Sequence, residues 1–366
     1  MSKRLSVIVI VYDMGREAPR TLRSLAPGFQ NGVDESEYEV VVVDNGSPTP
    51  LGEDVVRGFG ANFKYVYVEN ASPSPAPAVN LGVSMATGDI LGILIDGARI
   101  ASPGLFKSVL HAFSLHEEPV VATLGWHLGP LAQQHSIPLG YNQEIEDELL
   151  KSVGWPESDY RLFEISAFAQ SSRYGFFSIP AESNGIFISR RLYKSCGGFD
   201  PGFALPGGGF VNHDFFRRAV EYPGTRLIVP LSEGTFHQVH GGISTNAPKK
   251  DLNALIRIWN EEYQRLRGFP YETPKVTALY LGPVRPEQER LIVHSLRCQG
   301  YTRAQEMTEV AVAWMRIRLL GLRCFMKRHG FELTRGIFRL VPMAESNRAG
   351  FRRMFEKYLL WLRGRR

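Results

Sequence analysis

Short apolar runs alternate with helical patterns along the first two thirds of the chain. LSVIVIVY, residues 5–12, is continuously apolar and rich in β-branched side chains, as a strand covered on both faces should be. REAPRTLRSLAP follows with helical spacing. EYEVVVVDNGS (residues 37–47) reads as a second strand ending in a polar turn, and FKYVYVE (63–69) as a third, more alternating one. PAPAVNLGVSMATG has a helical pattern with a glycine stop at Gly88. DILGILID (89–96) is the fourth predicted strand, PGLFKSVLHAFSLH a helix with a proline start, and VVATLGW (120–126) the fifth strand. This rhythm predicts an α/β fold: a doubly wound, mostly parallel sheet with helices on both faces. Functional groups are then expected at the C-terminal ends of its strands.

The rhythm fails from about residue 128 to 183, a segment rich in Tyr, Phe, Ser, Gln and Glu. It is long for a plain connection, so a binding loop or lid is expected there. Regularity returns with NGIFISRRLYKSCGGFD, a strand leading into a short helix. The glycine-rich ALPGGGF, the helix NHDFFRRAVEY, the strand TRLIVP and then EGTFHQVHGG follow. Beyond about residue 247 the pattern is helical. A domain boundary is therefore expected near residue 246, between an α/β domain (1–246) and a mainly helical region (247–366).

Composition narrows the class only a little. With 366 residues, 44% of them hydrophobic and 22% charged, the chain can bury a sizeable core. The net charge of +5 is concentrated near the C-terminus. It suits anionic small molecules or a membrane surface as well as nucleic acid, and no nucleic-acid-binding module is present. The three cysteines, Cys196, Cys298 and Cys324, are odd in number and widely spaced, which argues against a disulfide framework and suits a reducing, cytoplasmic compartment. The apolar run at 5–11 is too short for a signal peptide, and no stretch approaches the roughly 20 apolar residues of a membrane span.

Several residues could carry chemistry. Asp44 ends the second strand, where a carboxylate can bond a ribose or base edge, or simply cap an Asn-Gly turn. Asp96 ends the fourth strand and would face the same crevice, to bind ribose or a divalent metal, or again to cap a turn. Asp214, in VNHDFF after a glycine loop, could be a general base or a first-turn aspartate favoured by the helix dipole. His237 and His240, three apart in FHQVHGG, could ligate a metal or be packed core histidines. The turn after the first strand, VYDMGREA, has one glycine, which disfavours dinucleotide-binding and methyltransferase readings. A nucleotidyltransferase would need an early glycine- and arginine-rich phosphate loop, which is absent.

Taken in order, the apolar first strand, VVVDNGS, AVNLGVSMATGDILGILID, SNGIFISRRLYKSCGGFD, the glycine loop with its HD pair, and FHQVHGG resemble a family 2 glycosyltransferase with the GT-A fold. The resemblance covers about residues 6–242. It implies that Asp44 contacts the nucleotide base and that Asp96 is the first carboxylate of a DxD motif. By the same carry-over Asp214 is the inverting catalytic base and His240 a late metal ligand, helped by His237. It also implies donor or substrate contacts at Val11, Tyr12, Asn80, Gly97, Asn184, Gly208 and His213. The implied partners are a nucleotide sugar, UDP-linked by default, and a glycan or lipid-linked acceptor. Two departures stand out. Ala98 replaces the second carboxylate, and His213 replaces the glutamate before the base. A divalent cation completed by Asp96, His240 and His237 would favour manganese over magnesium. The competing expectation is a metal-free site in which Arg99 offsets the leaving diphosphate. The competing function is a nucleotide- or glycan-binding module without turnover.

Near the C-terminus, AWMRIRLLGLRCFMKRH interleaves arginines with apolar residues, and Arg363, Arg365 and Arg366 end the chain. This reads either as a helix packed on the catalytic domain or as an interfacial helix lying on anionic lipid.

Overall fold

The computed structural model describes residues 4–158, 160–242, 249–298 and 303–329. The chain divides into two compact units, 1–318 and 319–366. Of the second, the described residues are the last turns of the helix Arg303–His329. The boundary expected near residue 246 and the basic tail at Arg363, Arg365 and Arg366 lie outside the described residues.

In the first unit, eight strands form one sheet: β1 (Leu5–Val11), β2 (Tyr38–Asp44), β3 (Phe63–Tyr67), β4 (Ile90–Leu94), β6 (Pro119–Ala122), β9 (Ile186–Ser189), β10 (Arg226–Pro230) and β12 (Ala278–Leu281). Their order is β12-β10-β6-β9-β4-β1-β2-β3. Every neighbouring pair is parallel except the two that involve β9, so the expected mostly parallel sheet is observed. All seven residues of β1 are buried, because the sheet is covered on both faces. Leu5, Val7, Val9 and Val11 pack with Ala18 and Leu22 of the helix Glu17–Leu25 and with Phe106 of the helix Leu105–Leu115. Ile8 and Ile10 point the other way, toward Val79 of the helix Ala76–Met85 and Phe215 of the helix Val211–Val220. The chain runs β1-β2-β3 outward, then returns to place β4 on the other side of β1. That reversal opens a crevice at the C-terminal ends of β1 and β4, where ligands bind in sheets of this kind.

A second sheet is built from four short strands in the order β5-β11-β7-β8: β5 (Arg99–Ala101), β11 (Thr235–His237), β7 (Gly125–Leu128) and β8 (Ser166–Phe168). Two strands expected as single runs are thereby divided. The run expected at 120–126 belongs to the main sheet through Ala122, then passes through Thr123 and Leu124 into β7 of the second sheet. Thr123 makes the transition, donating its N–H to the Gly185 carbonyl (3.0 Å) while its hydroxyl meets that of Thr235 (3.2 Å). ILIDGARI likewise ends in the main sheet at Leu94, turns at Asp96, and re-enters as β5. The irregular segment 128–183 holds β8 and the helix Gln143–Ser152, whose start is capped by Asn142 accepting from the Ile145 N–H (3.0 Å).

The C-terminal helices are present, and one strand from the same region, β12, returns to the edge of the main sheet beside β10. Among the described residues, no helix is long and apolar enough to cross a membrane.

Candidate metal and donor site

The turn after β4 brings Asp96 to the crevice. Its Oδ1 accepts the Ala98 N–H (3.0 Å), which fixes the carboxylate and leaves Oδ2 free to point onward. A Cβ added at Gly97 would stand 2.5 Å from Val11 Cγ1 and 2.8 Å from the Ile10 carbonyl oxygen. The turn can therefore lie against the end of β1 only with glycine there. The Ala98 side chain is fully buried, so no second carboxylate reaches the crevice from this turn.

The missing donors come from the second sheet. Its register places Arg99, His237 and His127 side by side on β5, β11 and β7, and residues paired across strands share a face. His237 Nε2 lies 2.7 Å from Asp96 Oδ2, His240 Nε2 lies 3.5 Å from the same oxygen, and the two Nε2 atoms are 3.0 Å apart. Among the described residues this trio is the one group of three His, Cys, Asp or Glu side chains whose ligand atoms converge.

The chemistry of the trio follows from Gln133. Its Nε2 donates to the His237 carbonyl (3.1 Å), so its Oε1 is the atom that faces His237 Nδ1 at 2.6 Å. The Nδ1 must then carry the proton, and Nε2 presents a lone pair to Asp96. Burial pushes the His237 pKa down, to about 4 even with Asp96 beside it, so the ring is neutral at pH 7. Burial also opposes ionisation of Asp96, but the pull of His240 outweighs it and holds its carboxyl well below the ordinary range. His240 loses to burial and gains more from Asp96, and its pKa ends above the ordinary value. Three possible ligand atoms thus meet at one point. A proton on His240 satisfies them in part, and a divalent cation would satisfy all three at once. One carboxylate and two imidazoles suit manganese or another first-row ion better than magnesium. The residues fit the metal that the sequence implied.

Neighbouring groups hold the trio in place. Glu146 accepts the Val239 N–H (2.9 Å), one residue before His240, and pairs with Arg16 (3.2 Å). Arg16 also bonds Glu17 (2.8 Å) and Asp147. This ties the loop after β1 and the helix Gln143–Ser152 to the segment carrying His240. Burial raises the Glu146 pKa to about 7, despite the Val239 N–H and Arg16. His127 is buried, its Nδ1 accepts the Gln133 N–H (2.8 Å), and burial keeps it neutral. Gln133→Ala should weaken manganese binding by about 10–100-fold, the range for losing a group that orients a metal-bound histidine. A manganese titration checks this, and unchanged affinity would remove Gln133 from the site.

Other expected site residues are engaged differently. Asp44 is fully buried; Oδ1 accepts the Ser47 N–H (3.0 Å), and Oδ2 accepts the Leu51 N–H and the Tyr65 hydroxyl (both 3.0 Å). Expected on the nucleotide base, it holds the loop beyond β2 through these bonds. Asn80 is similarly occupied, donating to the Phe199 carbonyl (2.8 Å) and accepting from the Phe199 N–H (3.1 Å), which pins the GGFD turn. Asn184 bonds the Ser171 hydroxyl (3.3 Å). Gly208 has φ +79°, and a Cβ there would meet Val211 and Pro75, so it serves the chain reversal before the helix Val211–Val220. Val11 is buried, whereas Tyr12 projects at the crevice end of β1 with 55% of its surface exposed.

Asp214 is not an open carboxylate. It is fully buried, with Oδ2 at 2.7–2.8 Å from the Arg218 guanidinium. Arg267 forks onto both oxygens at 2.6 and 2.8 Å. The residue expected as a general base for an acceptor hydroxyl thus has both oxygens in guanidinium bonds. Its neighbour His213 lies 3.5 Å from Glu182, and burial lowers its pKa, leaving it neutral.

Sequence reading missed His127, Gln133, Glu146 and Arg16. One signal was available for His127. Trp126-His127 and Phe236-His237 repeat an aromatic-histidine pair, and the structure aligns them residue for residue on parallel strands.

Residues 6–164 match the family model described as Glycosyl transferase family 2. No curated protein sequence matches the chain significantly. Among solved structures, S. aureus TarS 1-349 in complex with UDP-GlcNAc is 15% identical, with a TM-score of 0.45, over 86% of this chain and 79% of that one. The mannosyltransferase PcManGT from Pyrobaculum calidifontis, in complex with GDP-Man and Mn2+, is 15% identical, with a TM-score of 0.43, over 93% and 79%. Glucosyl-3-phosphoglycerate synthase from Mycobacterium tuberculosis, with Mn2+ and UDP-glucose, is 16% identical, with a TM-score of 0.43, over 74% and 81%.

Proposed function

We propose that the chain is a family 2 glycosyltransferase that moves a sugar from a nucleoside-diphosphate donor to an acceptor hydroxyl with inversion. The observation that carries this reading is the convergence of Asp96, His237 and His240 at the C-terminal ends of β1 and β4, within and beside the segment that matches the family model. A divalent cation held by these three residues would neutralise charge on the leaving diphosphate. The chain's own residues do the rest. Gln133 keeps the His237 lone pair turned inward, and the Glu146–Arg16 tie sets the segment bearing His240. Tyr12 offers an exposed aromatic face at the crevice for a base. Uridine is the default nucleoside, and a glycan or lipid-linked alcohol the default acceptor. Membrane contact, if the acceptor is a lipid, falls to the helix Arg303–His329, where exposed Val312 and Met315 stand beside Arg316 and Arg318.

A second reading, nucleotide-sugar binding without turnover, is favoured by one observation: Asp214 is engaged by two arginines.

Calorimetric titration of UDP with manganese, then with EDTA, tests the donor site. Binding that requires manganese is the expected result. Failure of UDP, GDP and dTDP alike, with and without manganese, would end both readings. Sugar release from a panel of UDP-hexoses separates the first reading from the second.

A further inference from the structure

We propose that Arg99 makes cation and diphosphate binding at this site interdependent: its charge holds off the divalent cation until a nucleoside diphosphate arrives. The nucleotide half of this inference rests on the glycosyltransferase reading, and the cation half does not.

Arg99 follows the buried Ala98 and stands opposite His237 in the β5–β11 register, on the face that carries the ligands. Its Nη2 lies 3.9 Å from Asp96 Oδ2, the oxygen that both histidines also approach. The residue is only 9% exposed, and its Nε and Nη1 are buried without a hydrogen-bond partner among the described residues. A buried guanidinium with two idle donors is an unusual thing to place beside a cation site, because its charge is costly unless paired.

The charge count gives it a use. A site with two carboxylates attracts a dication strongly before any substrate is present. Here one carboxylate faces one guanidinium, and the added ligands are neutral imidazoles, so the protein offers the dication almost no net negative charge. A cation bound at Asp96 would also sit within a few ångströms of Arg99, in a setting where solvent screens little. A diphosphate removes the conflict, since its charge offsets both cations. By reciprocity, each ligand then strengthens the other by the same factor. Any bridging diphosphate produces some coupling. The share due to Arg99 is the part that its removal abolishes, and it has a distinct mark: without Arg99, the metal alone binds more tightly.

The test is a manganese titration, followed by the free-ion EPR signal, on wild type, Arg99→Gln, Arg99→Met and Arg99→Lys. Each is measured alone and with saturating UDP, and each is checked for a cooperative melt. Manganese alone should bind the Gln and Met variants about tenfold more tightly than wild type, and the Lys variant within about threefold of it. The enhancement by UDP should shrink in the Gln and Met variants and persist in the Lys variant. Met keeps the apolar stem and carries the test should Gln not fold. Metal-alone affinities in Gln and Met no tighter than wild type would overturn the role of Arg99, while UDP-dependent binding in wild type would leave the glycosyltransferase reading standing. No enhancement of manganese binding by UDP, GDP or dTDP in wild type would overturn the interdependence, and only failure of all three to bind at all would overturn that reading with it.

Discussion

His240→Ala will lower manganese affinity by a hundredfold or more while leaving the fold intact in EDTA. Losing a residue that merely orients a metal-bound histidine costs about 10–100-fold, so losing a ligand should cost at least that. The fold should survive because the bonds that hold this segment, from Glu146 to the Val239 N–H and to Arg16, do not involve the His240 side chain of the trio. Removing His240 takes away one of its members and opens only a partly exposed position. A melting temperature within about 3 °C of wild type in EDTA is expected, the effect of no more than about 2 kcal/mol in a protein of this size. Manganese should raise the wild-type melting temperature and not that of the variant. The pH dependence has a definite sign. Metal binding needs both imidazoles neutral. His240 has a raised pKa, so affinity should begin to fall while the pH is still above the ordinary histidine value of 6.5. His237, at about 4, adds a second and steeper loss only in acid. Equal stabilisation of both proteins by manganese, or an affinity flat from pH 8 to pH 5, would remove His240 from the site.

The main sheet was legible because burial on both faces leaves a plain mark: largely apolar runs at β1, β2 and β4, each ended by polar residues. The second sheet was not, because three-residue strands such as β5 and β11 carry no periodicity to read. That loss mattered. The register Arg99–His237–His127 is created entirely by pairing those short strands, so sequence could nominate His237 and His240 but not say which groups complete them. Asp96 lies in the turn between β4 and β5, at the strand end where the apolar run predicted it. Asp44 and Asn80 lie where motif order put them, yet their polar atoms are taken by Ser47, Leu51, Tyr65 and Phe199. Motif order locates a residue along the fold and says nothing of its partners. The partners of Asp214 include Arg267, 53 positions away, which no local pattern announces.

Asp214→Asn will therefore show its effect first in stability. Asp214 is fully buried, while Arg218 and Arg267 keep about a quarter of their side-chain surfaces. Arg267 also reaches Asp200 at 2.8 Å, and its guanidinium is held above its ordinary pKa, chiefly by the bond from Asp214. The carboxylate thus ties the helix Val211–Val220, the turn at Asp200 and the helix Lys249–Arg267 together. An amide of the same shape cannot accept all three guanidinium bonds, and its NH2 group points a donor at another donor. Breaking a buried pair from one side costs about 3–5 kcal/mol, because the opposite charge is stranded. At about 1–2 °C per kcal/mol for a chain of this length, the melting temperature should fall by roughly 4 °C or more. Asp214→Glu should recover little, since an extra methylene has no space between two fixed arginines. Turnover and donor affinity should then decline together as the folded population falls, and both should return on cooling. The opposite result is equally clear. An Asp214→Asn protein that melts with wild type and binds UDP with manganese normally, yet transfers no sugar, would return the catalytic base to Asp214 and require that its arginines release it when an acceptor binds.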